Sequence, residues 1–278
     1  LRYRLNIAAA LKEATSLLRD NTPRARFEAE LLLAYHLGVD RVYLARRDDE
    51  EVDDVEGYFA LIRRRAQSEP YEYIVNSVNF YDIELYVDNR VLIPRPETEL
   101  LIDEVSKIIA QNSIKNIAEI GIGSGAISIV LARAFPKLKV VATDISSDAL
   151  EVAAINREKF ALEERIELVN ADLLGGVEDV FDMIVSNPPY IANDFNLESN
   201  VVDFEPHSAL FGGKVGHELL EDIIMQSKDK NARFLACEMG YDQKDIIERI
   251  FIEIGVKYHR FYKDLAGFDR GFIVQFKE

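Results

Sequence analysis

The stretch NIAEIGIGSGAISIV, residues 116–130, sets a short apolar run, a turn with glycine at every second position and a second apolar run in succession. NIAEI reads as a strand and the residues after GIGSGA as a helix. Gly121, Gly123 and Gly125 let the backbone turn sharply and let a ligand approach with no Cβ in the way. The helix that opens on the turn adds free N–H groups to it. A strand feeding a glycine turn and then a helix is one step of a sheet with helices packed on its faces.

The same alternation extends in both directions. Before the stretch, apolar residues at helical spacing cover 98–110. After it, KVVAT is a strand ending at Asp144, a helix runs from about 148 to 160, and IELVN, DMIV and RFLACE are further strands. Alternating strands and helices imply a parallel sheet covered on both faces. KYHRFY and GFIVQF are strands with no helix between them, which implies an antiparallel hairpin at one edge.

Residues 1–70 have a different character. Ile7, Ala10, Leu11, Ala14, Leu17 and Leu18 repeat at helical spacing. Thr22-Pro23 reads as a helix start, with Thr as cap and Pro in the first turn, and Gly38 closes that helix. Another helix runs near 52–67 and stops before Pro70. In 71–93, Ile83, Leu85 and Val87 alternate with Asp82, Glu84, Tyr86 and Asp88, a strand pattern preceded by Phe80 and Tyr81. The expected organisation is a helical bundle over 1–70, a β-hairpin linker over 71–93 and an α/β domain over 94–278.

Composition narrows the function classes. The chain has 278 residues, enough for two domains, and 48% of them are hydrophobic, which argues against disorder. No apolar run approaches the ~20 residues of a membrane span, and no segment reads as a signal peptide, although the first residue is Leu1 rather than Met. The single cysteine, Cys237, excludes a disulfide framework and fits a reducing compartment; in RFLACEM it reads as a small core residue. His36, His207, His217 and His259 are scattered without metal-ligand spacing, so no metal is expected.

With 33 Lys and Arg against 49 Asp and Glu, the net charge is −16. Nucleic-acid affinity rests on a basic surface, so no stable nucleic-acid partner is expected. Arg63, Arg64 and Arg65 end a predicted helix, where positive charge suits the dipole. A protein partner, a basic one, fits an acidic chain better.

The carboxyl ends of the predicted strands collect the candidate ligand-binding residues. Asp144 ends the strand after the glycine turn and can accept both hydroxyls of a ribose. GIGSGA with Asp144 suits any nucleoside cofactor, a nicotinamide dinucleotide included. Asp172, in NADLL, follows the next strand. Asn187-Pro188-Pro189-Tyr190, within SNPPYIAND, follows the fourth. Open α/β sheets bind ligands along this edge. Each proline fixes φ and removes a donor, so the NPPY loop presents carbonyls in a rigid array. The Asn187 amide and a backbone carbonyl can both accept from an NH2 group, and Tyr190 offers a flat face to a planar one. A carboxamide or the exocyclic amine of a base meets that description. Such a nitrogen is a weak nucleophile, so acceptors that hold it and favour positive charge on it promote attack on a methyl sulfonium.

GIGSGA, Asp144 and NPPY together resemble a class I S-adenosylmethionine-dependent amino-methyltransferase. VLIPRPETELLID, SNPPYI, FEPHSALFGG and KDLAGFDRGFI resemble the HemK/PrmC family, which methylates the glutamine of a GGQ motif in peptide chain release factors and so modulates translation termination. The resemblance spans nearly the whole chain. NPPY alone is shared with enzymes that methylate DNA adenine and ribosomal RNA guanine; the IPRPETE and C-terminal segments are more specific.

The resemblance implies a Rossmann-like, seven-stranded, mostly parallel sheet with an antiparallel edge hairpin, behind a helical substrate-recognition domain. It implies that Gly121, Ile122, Gly123, Ser124 and Gly125 wrap the methionine part of S-adenosylmethionine, the product being S-adenosylhomocysteine. Asp144 holds the ribose with Ile145 beside it, Asp172 and Leu173 lie by the adenine, and Asn187 also borders the cofactor. Asn187 and the Pro188 carbonyl grip the substrate amide, with Pro189 alongside and Tyr190 packing on it. Arg95, Glu97 and Thr98 lie at the mouth of the site. Glu119 stands where Asp is commoner, and Asn76 where Gly is frequent. A cytoplasmic, monomeric enzyme is expected.

Three other functions compete. A nucleic-acid amino-methyltransferase conflicts with the charge. A dehydrogenase leaves NPPY idle. A non-enzymatic cofactor-binding protein has no use for Asn187.

Overall fold

The computed structural model describes residues 4–195 and 199–277. The chain forms two compact units, Leu1–Ser77 with Glu198–Phe204, and Val78–Leu197 with Glu205–Glu278.

The first unit holds α1 (Ile7–Leu18), α2 (Ala25–Leu37), α3 (Arg41–Arg46), α4 (Val55–Ala66) and α5 (Tyr71–Val75). Leu11, Leu18, Leu32, Leu33, Tyr58 and Ile62 form its core. Asn6 caps α1 by accepting from the N–H of Ala9 at 2.9 Å. Leu17, part of the expected apolar stripe, is instead 48% exposed; Leu18 supplies the buried contact. The start of α2 also differs from expectation. Thr22 is not its cap: the helix begins at Ala25, and the Thr22 hydroxyl accepts from the N–H of Arg24 and donates to Glu28. Gly38 does close α2, at φ 65°. Tyr71–Val75 is a helical turn rather than the first part of a hairpin. Asn76 ends it at φ 53°, a left-handed conformation that Asn tolerates better than most residues, in place of Gly. Arg63, Arg64 and Arg65 lie in the last turn of α4, where Arg64 pairs with Glu69 and Arg65 with Glu28.

The second unit opens with the hairpin of β1 (Val78–Phe80) and β2 (Ile83–Leu85), paired antiparallel with Phe80 opposite Ile83. In order follow α6 (Pro96–Asn112), β3 (Asn116–Ile120), α7 (Ala126–Ala134), β4 (Lys139–Asp144), α8 (Ser147–Lys159), β5 (Ile166–Asn170), β6 (Met183–Ser186) and the two-residue β7 (Ile191–Ala192). The short α9 (Ser199–Val202) belongs to the first unit. Then come β8 (Phe211–Gly213), which pairs with β7, α10 (Glu218–Asp229), β9 (Phe234–Glu238), α11 (Lys244–Glu253), β10 (Tyr258–Lys263) and β11 (Asp269–Gln275).

Seven strands form one sheet in the order β10-β11-β9-β6-β3-β4-β5. β11 runs antiparallel to both its neighbours, and the other pairings are parallel. β6 and β9 are buried along their whole length, as central strands covered on both faces must be. Ile102, Val130 and Met183 belong to the cluster on one face, and Ile223, Phe251 and Phe272 to that on the other. Cys237 is a core residue of the second cluster, and burial pushes its thiol pKa up. From β3 the chain winds to β4 and β5 on one side, and later from β6 to β9 on the other. The strand order therefore reverses between β3 and β6, which opens a crevice beyond their carboxyl ends. The glycine turn leaves β3 there and NPPY leaves β6.

Candidate active site

A cleft of about 400 Å³ occupies that crevice. Gly121, Ile122, Gly123, Ser124, Asp144, Ile145, Asp172, Leu173, Asn187, Pro189, Arg95 and Thr98 line it.

The glycine turn forms one wall. The N–H groups of Gly121 and Ile122 both donate to the Thr143 carbonyl, at 2.9 and 3.0 Å, and tie the turn to β4. Gly121 and Gly123 have φ of 74° and 52°, and a Cβ built on either meets nothing within 4 Å. Backbone conformation favours glycine at both positions, and the space above them is open. Asn156, fully buried in α8, braces the turn. Its Nδ2 donates to the carbonyls of Ser124 (2.9 Å) and Tyr86 (2.8 Å), and its Oδ1 accepts from the Tyr86 N–H (2.7 Å).

Asp144 sits at the end of β4. Its Oδ2 accepts from Gly123 N–H at 3.0 Å and its Oδ1 from Ser146 N–H at 2.9 Å. Burial raises its pKa, and the N–H groups of Ser146 and Gly123 pull it back. A carboxylate has about four acceptor positions, so capacity remains for ligand hydroxyls. Glu119 lies beneath the turn, 1% exposed, bonded to the N–H and hydroxyl of Ser128. Burial pushes its carboxyl up to about 8.

The opposite wall is NPPY. Asn187 Nδ2 donates to Thr98 Oγ1 at 2.9 Å, while its Oδ1 has no protein partner among the described residues. Thr98, in the first turn of α6, donates to Glu238 Oε2 at 2.8 Å. The Tyr190 hydroxyl donates to the other carboxylate oxygen at 3.2 Å. Glu238 ends β9 and is 2% exposed. Burial pushes its carboxyl up to about 7 against the lowering effect of its bonds to Thr98 and Tyr190.

The backbone of the loop is held from behind. Gln243 Nε2 donates to the carbonyls of Tyr190 and Gly216, both at 3.0 Å, and its Oε1 accepts from Gly240 N–H at 2.9 Å. Gly212 and Gly216 lie so close that a Cβ would stand 2.3 Å from the Pro189 oxygen and 2.6 Å from the Tyr190 oxygen. Arg95, also in the cleft lining, bonds buried Glu205 through its guanidinium, and Glu205 also accepts from Ile93 N–H at 3.2 Å.

Four expected site residues stand outside the cleft lining: Gly125, Glu97, Pro188 and Tyr190. Gly125 is the N-cap of α7 at φ 88°, and Glu97 lies in the first turn of α6. The Tyr190 ring packs against the second apolar cluster. Glu238, Asn156, Gln243 and Glu205 were not singled out from the sequence. An acid at the carboxyl end of the apolar run RFLACE was the available signal for Glu238, the same one that marked Asp144 in KVVATD. Among the described residues, no group of three or more His, Cys, Asp or Glu could hold a metal ion, and no helix is long and apolar enough to cross a membrane.

Known proteins share this architecture. The N-terminal domain of human METTL16 superposes with a TM-score of 0.55 at 18% identity, over 78% of this chain and 83% of that one. The METTL16 catalytic domain, solved with a MAT2A 3′UTR hairpin, gives 0.58 at 18% identity over 70% and 76%. At that identity the likeness concerns the fold. Residues 96–204 match the family model of the methyltransferase small domain, and residues 9–75 that of the PrmC N-terminal domain. The fold, the glycine-lined cleft and these matches define a class I methyltransferase.

Whole-chain similarity is narrower. The release factor glutamine methyltransferase of Koribacter versatilis is 39% identical over 83% of this chain and 84% of its own length. That of Clostridium acetobutylicum is 35% identical over 96% and 97%. The chain belongs to the release factor glutamine methyltransferase family. Its methyl donor is S-adenosylmethionine, and the cleft suits that group: two glycines with open space where side chains would be, and a carboxylate with acceptor capacity one strand away.

Proposed function

We propose that this chain transfers a methyl group from S-adenosylmethionine to the side-chain amide nitrogen, N5, of the glutamine in the GGQ motif of peptide chain release factors, and so modulates translation termination. The observation that carries this reading is the state of Asn187. Its NH2 end is committed to Thr98 and its Oδ1 is left for a ligand, in the cleft that the glycine turn lines.

The backbone from Gly121 to Gly125 takes the methionine part of the cofactor, Asp144 and Ile145 take the ribose, and Asp172 and Leu173 flank the adenine. When bound, S-adenosylmethionine would supply the methyl group from its sulfonium and leave as S-adenosylhomocysteine, while the methylated amide would give up one of its two protons to solvent. Asn187 Oδ1 and the Pro188 carbonyl accept the two hydrogens of the substrate amide. Held this way, the nitrogen is aimed, and positive charge that develops on it faces two acceptors. Alignment is the main lever for such a weak nucleophile; in model reactions it is worth roughly 7–11 kcal/mol. Pro188 and Pro189 keep the loop from yielding. Tyr190 and Pro189 back the substrate, with Arg95 and Glu97 towards the mouth and Thr98, expected there too, buried behind Asn187.

Residues 1–70 serve as the substrate-recognition domain, 71–93 as the linker and 94–278 as the catalytic domain. The enzyme acts as a cytoplasmic monomer on a protein, without a stable nucleic-acid partner. The acidic charge supports a protein substrate over RNA or DNA.

The test offers tritiated-methyl S-adenosylmethionine with a release factor and with RNA side by side. Label in the protein supports the proposal; label confined to RNA refutes it.

A further inference from the structure

The two ends of an asparagine amide have nearly the same shape, so only their hydrogen-bond partners fix which end faces a ligand. In NPPY that partner is Thr98, whose hydroxyl can either donate to Asn187 or accept from it. Thr98 and Glu238 share a bond of 2.8 Å, and Thr98 and Asn187 one of 2.9 Å. A carboxylate only accepts. While Glu238 is ionised, the Thr98 proton must point at Glu238, and Thr98 can meet Asn187 only as an acceptor. Asn187 must then turn its NH2 inward and its Oδ1 outward. The second oxygen of Glu238 accepts from Tyr190, so both oxygens are engaged.

We propose that Glu238 is a positioning residue that sets the hydrogen-bond polarity of Asn187 through Thr98. It keeps the amide oxygen, not the NH2, facing the substrate nitrogen. The proposal rests on Asn187 taking the substrate amide. Reversal of the chain presents a donor to a substrate NH2, which cannot pair with it. The chain also runs from the carboxylate outward, and each bond polarises the next, so Asn187 Oδ1 is a stronger acceptor than an isolated amide oxygen.

Protonation of Glu238 is the natural way to reverse it. A carboxylic acid donates to Thr98, which frees the Thr98 proton for Asn187. The groups acting on Glu238 are Thr98 and Tyr190 by hydrogen bond, Glu97 from α6 as a like charge, Arg270 as an opposite one, and Tyr262, buried nearby. Burial outweighs the rest and holds the carboxyl at about 7. The active form is the ionised one, so turnover is lost as pH falls through this value.

The experiment uses the full-length chain, S-adenosylmethionine and an intact bacterial release factor. Thr98→Val, which keeps the shape and removes the hydroxyl, lowers kcat on the order of 10²-fold, the scale of loss when a reacting group is misplaced by about an ångström. Cofactor affinity by calorimetry stays near wild type. Thr98→Ser recovers most of that loss. Glu238→Gln lowers kcat in the same sense and removes the acid limb of the kcat–pH profile near 7.

A second readout needs no substrate. The Asn187 side-chain NH2 signals, assigned in 15N-labelled protein by their loss in Asn187→Ala, move with pH in wild type and stay fixed in Glu238→Gln. Full activity in Thr98→Val, an unchanged acid limb in Glu238→Gln, or NH2 signals that do not respond to Glu238 each overturn the relay. A wild type that ignores the release factor but shows the NH2 titration overturns the substrate assignment and keeps the relay. Should Glu238→Gln fail to fold, the two Thr98 variants and the wild-type titration still decide.

Discussion

The side-chain amide of Gln243 donates to the carbonyl of Tyr190 at 3.0 Å and bridges it to Gly216. NPPY is thus held by residues outside the cleft lining. Gln243→Ala leaves two backbone carbonyls, one buried and one part-buried, short of a partner, at a cost of ~1–3 kcal/mol each in the worst case. Thermal denaturation should register the loss, and kcat should fall while cofactor affinity stays within a few-fold. A variant as active and as stable as wild type would show that the loop keeps its shape unaided.

Gly212 tests the same support from the other side. A Cβ there would sit 2.3 Å from the Pro189 oxygen and 2.8 Å from that of Gly216, both backbone atoms. Gly212→Ala should displace the loop, destabilise the chain by ~1–3 kcal/mol as overpacking does, and depress transfer. Steady-state rates and a melting curve on one preparation measure both.

The proposed reaction gives Asp144 to the cofactor and Asn187 to the substrate, so their variants should fail differently. Asp144→Ala removes an ionised acceptor, and hydrogen bonds to charged groups are worth ~1.5–3 kcal/mol. Cofactor affinity by calorimetry should drop first. Asn187→Ala should abolish transfer and leave cofactor binding mostly intact. Equal loss of both properties in Asn187→Ala would make it a cofactor residue.

Burial also gives stability a pH dependence. Glu119 is raised from an ordinary 4.5 to about 8. Between those values the folded chain keeps a proton that the unfolded chain has lost, so stability falls as pH rises through the window and levels off above it. Glu238, at about 7, adds in the same sense. Glu119→Gln should therefore gain on wild type in Tm from about pH 5 to about pH 8.5. A Tm difference that is constant across that range would show that Glu119 is ionised in the folded state throughout.

What was legible in the sequence was local. The strand of NIAEI, the glycines at positive φ and the stiff prolines after β6 each announce themselves within a few residues. The mostly parallel sheet with an antiparallel edge pair followed because strands alternate with helices until the last two. What was not legible depends on distance along the chain. Thr98 meets Glu238 across 140 residues, and Asn156 meets Tyr86 across 70. Short elements were also hidden: α3 and α5 are too brief to show a period, and α5 was absorbed into the expected hairpin. Thr22 had the composition of a cap, yet its hydroxyl found Arg24 and Glu28, and the helix began beyond it.

The central claim is the reaction on the release factor glutamine, and mass spectrometry reads it most directly. A bacterial release factor is incubated with this protein and S-adenosylmethionine, digested, and the GGQ peptide sequenced. The account predicts one added methyl, on the glutamine side chain, and none with Asn187→Ala. An unmodified GGQ peptide, with methyl appearing instead on RNA or DNA in the same mixture, would contradict it.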